Sequence, residues 1–217
     1  MLKMSNEFHV ADEDLFDYGA GALEEAWSLA IAAHLSFCTS CRSATEQFEA
    51  LGGIALEDLS PSELDANSLA LCLKTLDEQA PEGNEFSVSE GSILPGVLQK
   101  YVGSDLDQIQ WKRVGGGVKQ AIIPTKGNAT ARLLRIPPGV AVPEHSHNGT
   151  ELTVVLAGSY ADGPHLFERG DIQQADTEVH HSPSVVGAEE CVCLVATDAP
   201  LKFKSIVPRV VQKFISL

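Results

Sequence analysis

The chain has 217 residues, 44% of them hydrophobic and 21% charged, which suits one large globular domain or two modest ones. No apolar run reaches the roughly 18 residues that a membrane span requires. The N-terminus MLKMSNEFHVADEDLF lacks a signal-peptide core, so a cytoplasmic protein without membrane contact is expected. Five cysteines at uneven spacing speak against a disulfide framework and for reduced thiols or metal ligands.

The formal net charge of −15 is unevenly held. Residues 1–90 carry 18 acidic residues against Lys3, Arg42 and Lys74, whereas residues 91–217 carry 12 acidic and 12 basic residues. The whole surplus therefore lies in the first part of the chain. Such a surface repels nucleic acid and favours a basic protein partner. Solubility alone would also account for it.

From Asp12 to Cys38 apolar residues recur at helical steps, with Leu23, Ala26, Trp27, Ala30, Ile31, His34, Leu35 and Cys38 forming one stripe. Breaks at Gly19 and Gly21 predict two helices, about 11–19 and 22–36. A third is expected from Cys41 to Ala50, ended by Gly52 and Gly53. A fourth is expected over 61–79, with Ser60 as N-cap, Pro61 in the first turn and Glu63 closing a capping box. Cys72 falls among its leucines and reads as core. The polar stretch APEGNEFSVSEG, residues 80–91, marks the connection. Beyond it, short β-rich runs such as ARLLRIPPG, ELTVVLAGSY and CVCLVAT alternate with turns, the pattern of a sandwich or barrel. The expected division is an all-α domain at 1–85, a linker at 86–94 and an all-β barrel at 95–217.

Two clusters carry metal chemistry. In HLSFCTSC, residues 34–41, His34 and Cys38 are four apart and share a helix face, and Cys41 follows as the helix ends. A structural zinc site takes four nitrogen and sulfur ligands. His9, just ahead of the first helix, can fold back to complete the set. A redox CxxC is the alternative, but it prefers its first thiol at a helix N-terminus. Here the pair sits at a helix end, where the dipole disfavours a thiolate. A small helical domain with few aromatic residues also gains from a metal staple.

The second cluster is GVAVPEHSHNGTELTVVLAG, residues 139–158. Gly139, His145, His147, Glu151 and Gly158 match the first cupin motif, G-x5-H-x-H-x3-E-x6-G, at every defined position. Two histidines two apart on a strand face the same side. The second motif, counted from Gly170, reaches His181, with Asp176, Glu178 and Val185 where Pro, Gly and Asn are usual. His180 competes for that role, since adjacent strand residues face opposite ways. Such a site suits Zn2+, Fe2+, Mn2+ or Ni2+. His165 has no partner at ligand spacing and reads as a surface residue. Cys191 and Cys193 share a strand face, where packing and a redox role are both open.

His9 with H-x3-C-x2-C, preceded by FHVADEDLFDYGAGAL, resembles the zinc-binding anti-sigma domain. Such a domain followed by a cupin resembles the ChrR-type anti-sigma factors over nearly the whole chain. The resemblance implies a zinc-holding helical domain that sequesters an extracytoplasmic-function sigma factor. It also implies a cupin that senses singlet oxygen or organic hydroperoxides and triggers release, a regulator rather than an enzyme. The alternatives are a dioxygenase-like cupin enzyme with an accessory helical domain, and a protein whose metals serve stability alone.

Overall fold

The first helices form where the sequence places acidic and apolar residues in register. α1 (Asp12–Gly19) opens with Asp12, Glu13 and Asp14, whose charges oppose the positive N-terminal end of the helix dipole. Gly21, with φ +67°, turns the chain into α2 (Glu25–Leu35). In α2 the residues Ala26, Leu29, Ala30, Ile31, Ala33 and His34 are all buried, so this helix lies inside the protein. The structure, a computed structural model, describes residues 8–78, 88–89, 91–200 and 202–203. Most of the expected connecting stretch 80–91 lies outside them.

α3 (Thr39–Glu57) departs from the sequence expectation twice. It starts directly after Cys38, which is its N-cap, so the CxxC pair stands at a helix beginning rather than at a helix end. The dipole there favours negative charge on sulfur, which corrects the objection to a thiolate drawn from sequence. The helix also runs through Gly52 and Gly53, because two glycines cost only about 1 kcal/mol each among good helix formers. α4 (Ser68–Glu78) begins later than the capping pattern at Ser60 suggested. The Asp65 carboxylate accepts the amide of Asn67 at 2.8 Å, a local turn that competes with helix at this point. Cys72, expected in a core, is exposed.

A short helix, α5 (Gly96–Val102), precedes the strands. One sheet holds β1 (Lys112–Gly115), β2 (Val118–Ile123), β3 (Thr130–Ile136), β11 (Cys191–Thr197), β5 (Glu151–Ala157) and β8 (Ile172–Ala175), side by side in that order. A second is ordered β10 (Ser184–Val185), β6 (Ser159–Asp162), β7 (His165–Glu168). The third is ordered β12 (Lys202–Phe203), β4 (His145–Ser146), β9 (His180–His181). All named pairings are antiparallel, and they give the cupin barrel. Gly158, the last residue of the cupin motif, has φ +70°, and a Cβ there would run into the Glu190 carbonyl. Only glycine fits that corner.

The central strands are buried on both faces, which explains their continuous apolar runs. Val155, Cys193 and Val195 point into the barrel with Tyr160 and Phe167. Val154, Leu156, Leu194 and Ala196 point out and meet Leu29, Ala30 and Ile31 of α2 in one shared core. The alanines let the helix approach closely, and each large apolar side chain buried there contributes about 1.5–3 kcal/mol.

Carboxylates fasten the N-terminal end of α2 to the barrel. Glu24 accepts the amides of Asn128 at 2.6 Å and Ala129 at 2.9 Å; Glu25 accepts the amide of Lys126 at 2.6 Å and the Tyr101 hydroxyl at 2.7 Å. Backbone amides, from Ala129 on Glu24 and from Lys126 on Glu25, hold both carboxyls below the usual 4.5. A lowered folded pKa gives stability above the unfolded pKa that is lost as pH falls through the folded one. The unfolding midpoints of wild type and Glu24→Gln/Glu25→Gln are therefore expected to differ fully at pH 7 and to converge progressively as the pH falls below 4.5 and through the lowered folded pKa values. No helix among the described residues is long and apolar enough to cross a membrane.

Candidate metal centres

Four side chains from three segments meet beside α2. His9 comes from the segment just ahead of α1, His34 from the last turn of α2, and Cys38 and Cys41 from the start of α3. One donor atom of each lies within 4.8 Å of all the others. His9 Nδ1 stands 3.4 Å from Cys38 Sγ and 3.5 Å from Cys41 Sγ. In a tetrahedral zinc site with bonds of about 2.3 Å to sulfur and about 2.05 Å to nitrogen, those donors stand about 3.5 Å apart.

The fit is tested by His34. Its Nδ1–H donates to the Gly170 carbonyl at 2.8 Å, which leaves Nε2 unprotonated in the neutral ring. That Nε2 is fully buried and makes no hydrogen bond among the described residues. An orphaned buried acceptor is costly, and a cation among the four donors would satisfy it. Burial holds the His34 imidazole down at about 4 and pushes the Cys41 thiol up to about 11. The imidazole is thus neutral at pH 7, whereas a bound ion would have to displace the thiol proton.

The second group lies inside the barrel. β4 carries His145, the residue after next carries His147, and β9 carries His181 opposite His145 in register. Their Nε2 atoms converge, His181 lying 3.0 Å from both His145 and His147. Two nitrogens about 2.1 Å from one ion and at right angles are about 3.0 Å apart, so His181 stands from each of the other two at the separation of neighbouring ligands on one ion. His145 Nδ1–H donates to the Pro143 carbonyl at 2.9 Å and His181 Nδ1–H to Asp162 at 2.7 Å. Both interactions leave Nε2 lone pairs facing inward, and a cation held between them would remove their repulsion. Burial also holds His145 and His147 at about 4.

His180, the competitor of His181, is exposed, because adjacent strand residues alternate in facing. Glu151 is buried beside the trio but outside the group whose donors converge. One of its oxygens accepts the Thr153 hydroxyl at 3.1 Å, and the other lies 3.8 Å from His147 Nδ1, the nitrogen that faces away from the cluster. Desolvation raises its carboxyl pKa. A cavity lined by His145, His181, Glu151, Tyr160, Cys193 and Val195 opens over the cluster. The Cys191 and Cys193 sulfurs are 3.5 Å apart and unbridged inside the barrel core. His165 is exposed and lies edge-on to Phe8.

The barrel's residues 99–200 match the model of the ChrR cupin-like domain. The whole chain is 44% identical over 211 residues to the anti-sigma-E factor ChrR of Cereibacter sphaeroides, spanning 97% of this chain and 99% of that protein. The chain belongs to the ChrR family. The crystal structure of Rhodobacter sphaeroides SigE in complex with the anti-sigma ChrR matches with a TM-score of 0.75. Identity there is 42%, over 88% of this chain and 99% of that one. An RmlC-like cupin protein from Ralstonia eutropha matches less fully, with a TM-score of 0.40, 21% identity, and 48% and 71% of the two chains.

Around the barrel imidazoles the structure adds residues that no motif marked. Asp162 holds His181, and its Oδ2 also accepts Gln173 Nε2 at 2.6 Å, while Gln173 Oε1 accepts the Tyr160 hydroxyl at 2.8 Å. The one sequence hint was alternation, since Tyr160 and Asp162 are two apart on β6 and face the barrel interior together.

Proposed function

We propose that this protein is a cytoplasmic anti-sigma factor that binds and inhibits an extracytoplasmic-function sigma factor, as the name and complex of its ChrR relatives suggest. In this reading residues 1–85 form the capturing domain, 86–94 the linker and 95–217 the sensing barrel. His9, His34, Cys38 and Cys41 hold Zn2+. His145, His147 and His181 hold a second ion, Zn2+ or another of the divalent first-row metals, and Glu151 completes that set from the same cavity.

The observation that carries this reading is the surface beyond the first centre. Every side chain from Leu51 to Asn67 and from Leu69 to Leu76 is exposed, including Leu51, Ile54, Leu56, Leu59 and four leucines of α4. An apolar surface of that extent marks a protein partner. Its neighbours are acidic, with Glu57, Asp58, Glu63 and Asp65 against the one basic residue Lys74. A basic protein with an apolar groove fits that combination, and a DNA-binding sigma factor is such a protein.

Co-expression of the full chain with an extracytoplasmic-function sigma factor encoded beside it is expected to yield an equimolar complex that cannot support transcription. Free, active sigma factor in the presence of excess protein would end the proposal. In the barrel, His181→Ala is expected to remove one metal ion per chain and to leave sigma capture intact. The response to singlet oxygen or organic hydroperoxide should disappear. Metal analysis and an oxidant-challenged transcription assay read the two effects separately.

A further inference from the structure

The two metal centres share one support. β7 and the turn that leads from it to β8 touch the first centre at three places next to its ligands. Phe8, adjacent to His9, stacks on Phe167 with ring centroids 4.2 Å apart. Phe37, adjacent to Cys38, lies under the Arg169 guanidinium at 4.9 Å, and Arg169 in turn donates to the Leu156 carbonyl at 3.0 Å. Gly170, with φ +96°, gives its carbonyl to His34 Nδ1. Three residues further on, Gln173 faces the other way and holds the Asp162 carboxylate that holds His181.

That turn is not loosely placed. Gly170 N–H donates to the Val155 carbonyl at 2.8 Å and Val155 N–H donates to the Asp171 carbonyl at 3.0 Å. Asp171 caps the turn by accepting the Glu168 amide at 2.8 Å. Val154 pairs with Ile172 across β5 and β8. Outer-shell partners of ligating histidines set ring orientation and metal affinity, and their loss costs roughly 10–100-fold in affinity. The turn at Gly170 and the strand that continues it thus support one ligand of each centre, directly for His34 and through Asp162 for His181.

We propose that β8 and the turn before it are a common outer shell of both centres, so that the ligand state at the barrel imidazoles is transmitted to His34 through Asp162, Gln173 and the Gly170 carbonyl. Asp162 and Gln173 are positioning residues in this scheme. The proposal rests on the two-centre reading above. It places the route from sensing barrel to capturing domain in a segment of about 14 residues, from Asp162 to Ala175.

The test is a double-variant cycle on the full chain, reading zinc release from the thiolate centre to a chromophoric chelator. The cobalt form adds a second readout, because sulfur-to-cobalt charge-transfer bands report a centre with thiolate ligands. His145→Ala, which impairs the barrel site, is expected to speed release from the thiolate centre by roughly threefold or more and to shift those bands. In a Gln173→Leu background the same change should alter release by less than about twofold and leave the bands in place. Asp162→Asn, which keeps the side-chain shape, provides the second background and should uncouple the centres likewise. If the wild-type chain holds fewer than two metal ions, the two-centre reading fails and the link fails with it. If it holds two and His145→Ala acts equally in all backgrounds, or not at all, the link alone is overturned.

Discussion

Replacing Cys38 or Cys41 by serine is expected to remove one metal ion per chain and to abolish sigma-factor capture. The reason lies in how α3 is attached, through its first half alone, where Ala44 and Phe48 pack on the core and Phe48 meets Phe16 edge-on. Of its 19 residues only Cys41 and Thr45 are buried, and Cys41 is one of the four converging donors. A helix held only along its first half gains most from a tether at its beginning. The apparent binding free energy of a structural zinc ion is about 10–16 kcal/mol, and in such sites it is folding free energy. Serine keeps the size of the side chain and removes the thiolate, so the effect isolates coordination from packing. Metal analysis should show one ion left, in the barrel, and a pull-down should recover no sigma factor. Retention of both ions in either variant would remove the first centre from the account.

Leu69→Asp combined with Leu73→Asp is expected to have the opposite profile. These residues are four apart on α4, 71% and 53% exposed, and share a face with Leu76 at 63%. Aspartate there meets water in the free protein, so metal content is unchanged and thermal stability moves within about 0.5 kcal/mol. In a complex the same carboxylates would be desolvated against an apolar groove. Affinity for the sigma factor should fall on the order of 30-fold or more, as at an interface hot spot. Calorimetric titration of the purified pair checks the affinity, and a melting curve checks the fold. Undiminished binding would move the capturing surface away from α4.

These point variants are more informative than truncation. Cutting the chain between the helices and the strands would expose Leu29, Ile31 and their alanine neighbours, which the barrel now covers. It would also strip the Gly170 carbonyl from His34 and the 126–129 amides from Glu24 and Glu25. A fragment that failed to bind would then report lost support as much as a lost surface.

Local chemistry in the sequence located two groups of side chains that could hold a metal ion. The spacings H-x3-C-x2-C and H-x-H follow from the 3.6- and 2-residue periods, and those periods act over a few residues wherever the segment lies. His9 was reachable because its segment adjoins α1. The same local reasoning misplaced helix boundaries at Gly52, Gly53 and Ser60, where weak propensities yield to neighbouring residues and to the Asp65 turn. It also placed Cys72 in a core that α4 does not have. The leucines of α4 satisfy a buried pattern equally well whether the partner is the same chain or another.

What the sequence determined by itself was the pair of donor clusters, the helical-then-barrel order and the concentration of negative charge at one end, because each depends on composition or short-range period. Counting from Gly170 already favoured His181, and strand register bears that choice over His180 out, while tertiary structure alone decided that Glu151 stands beside the converging nitrogens rather than among them. It also decided that α2 is buried against the barrel and that Asp162, Gln173 and Gly170 form the hydrogen bonds behind His181 and His34. Those facts depend on strand register and on contacts between residues as far apart as His34 and Gly170, and no short-range period encodes such long-range pairing.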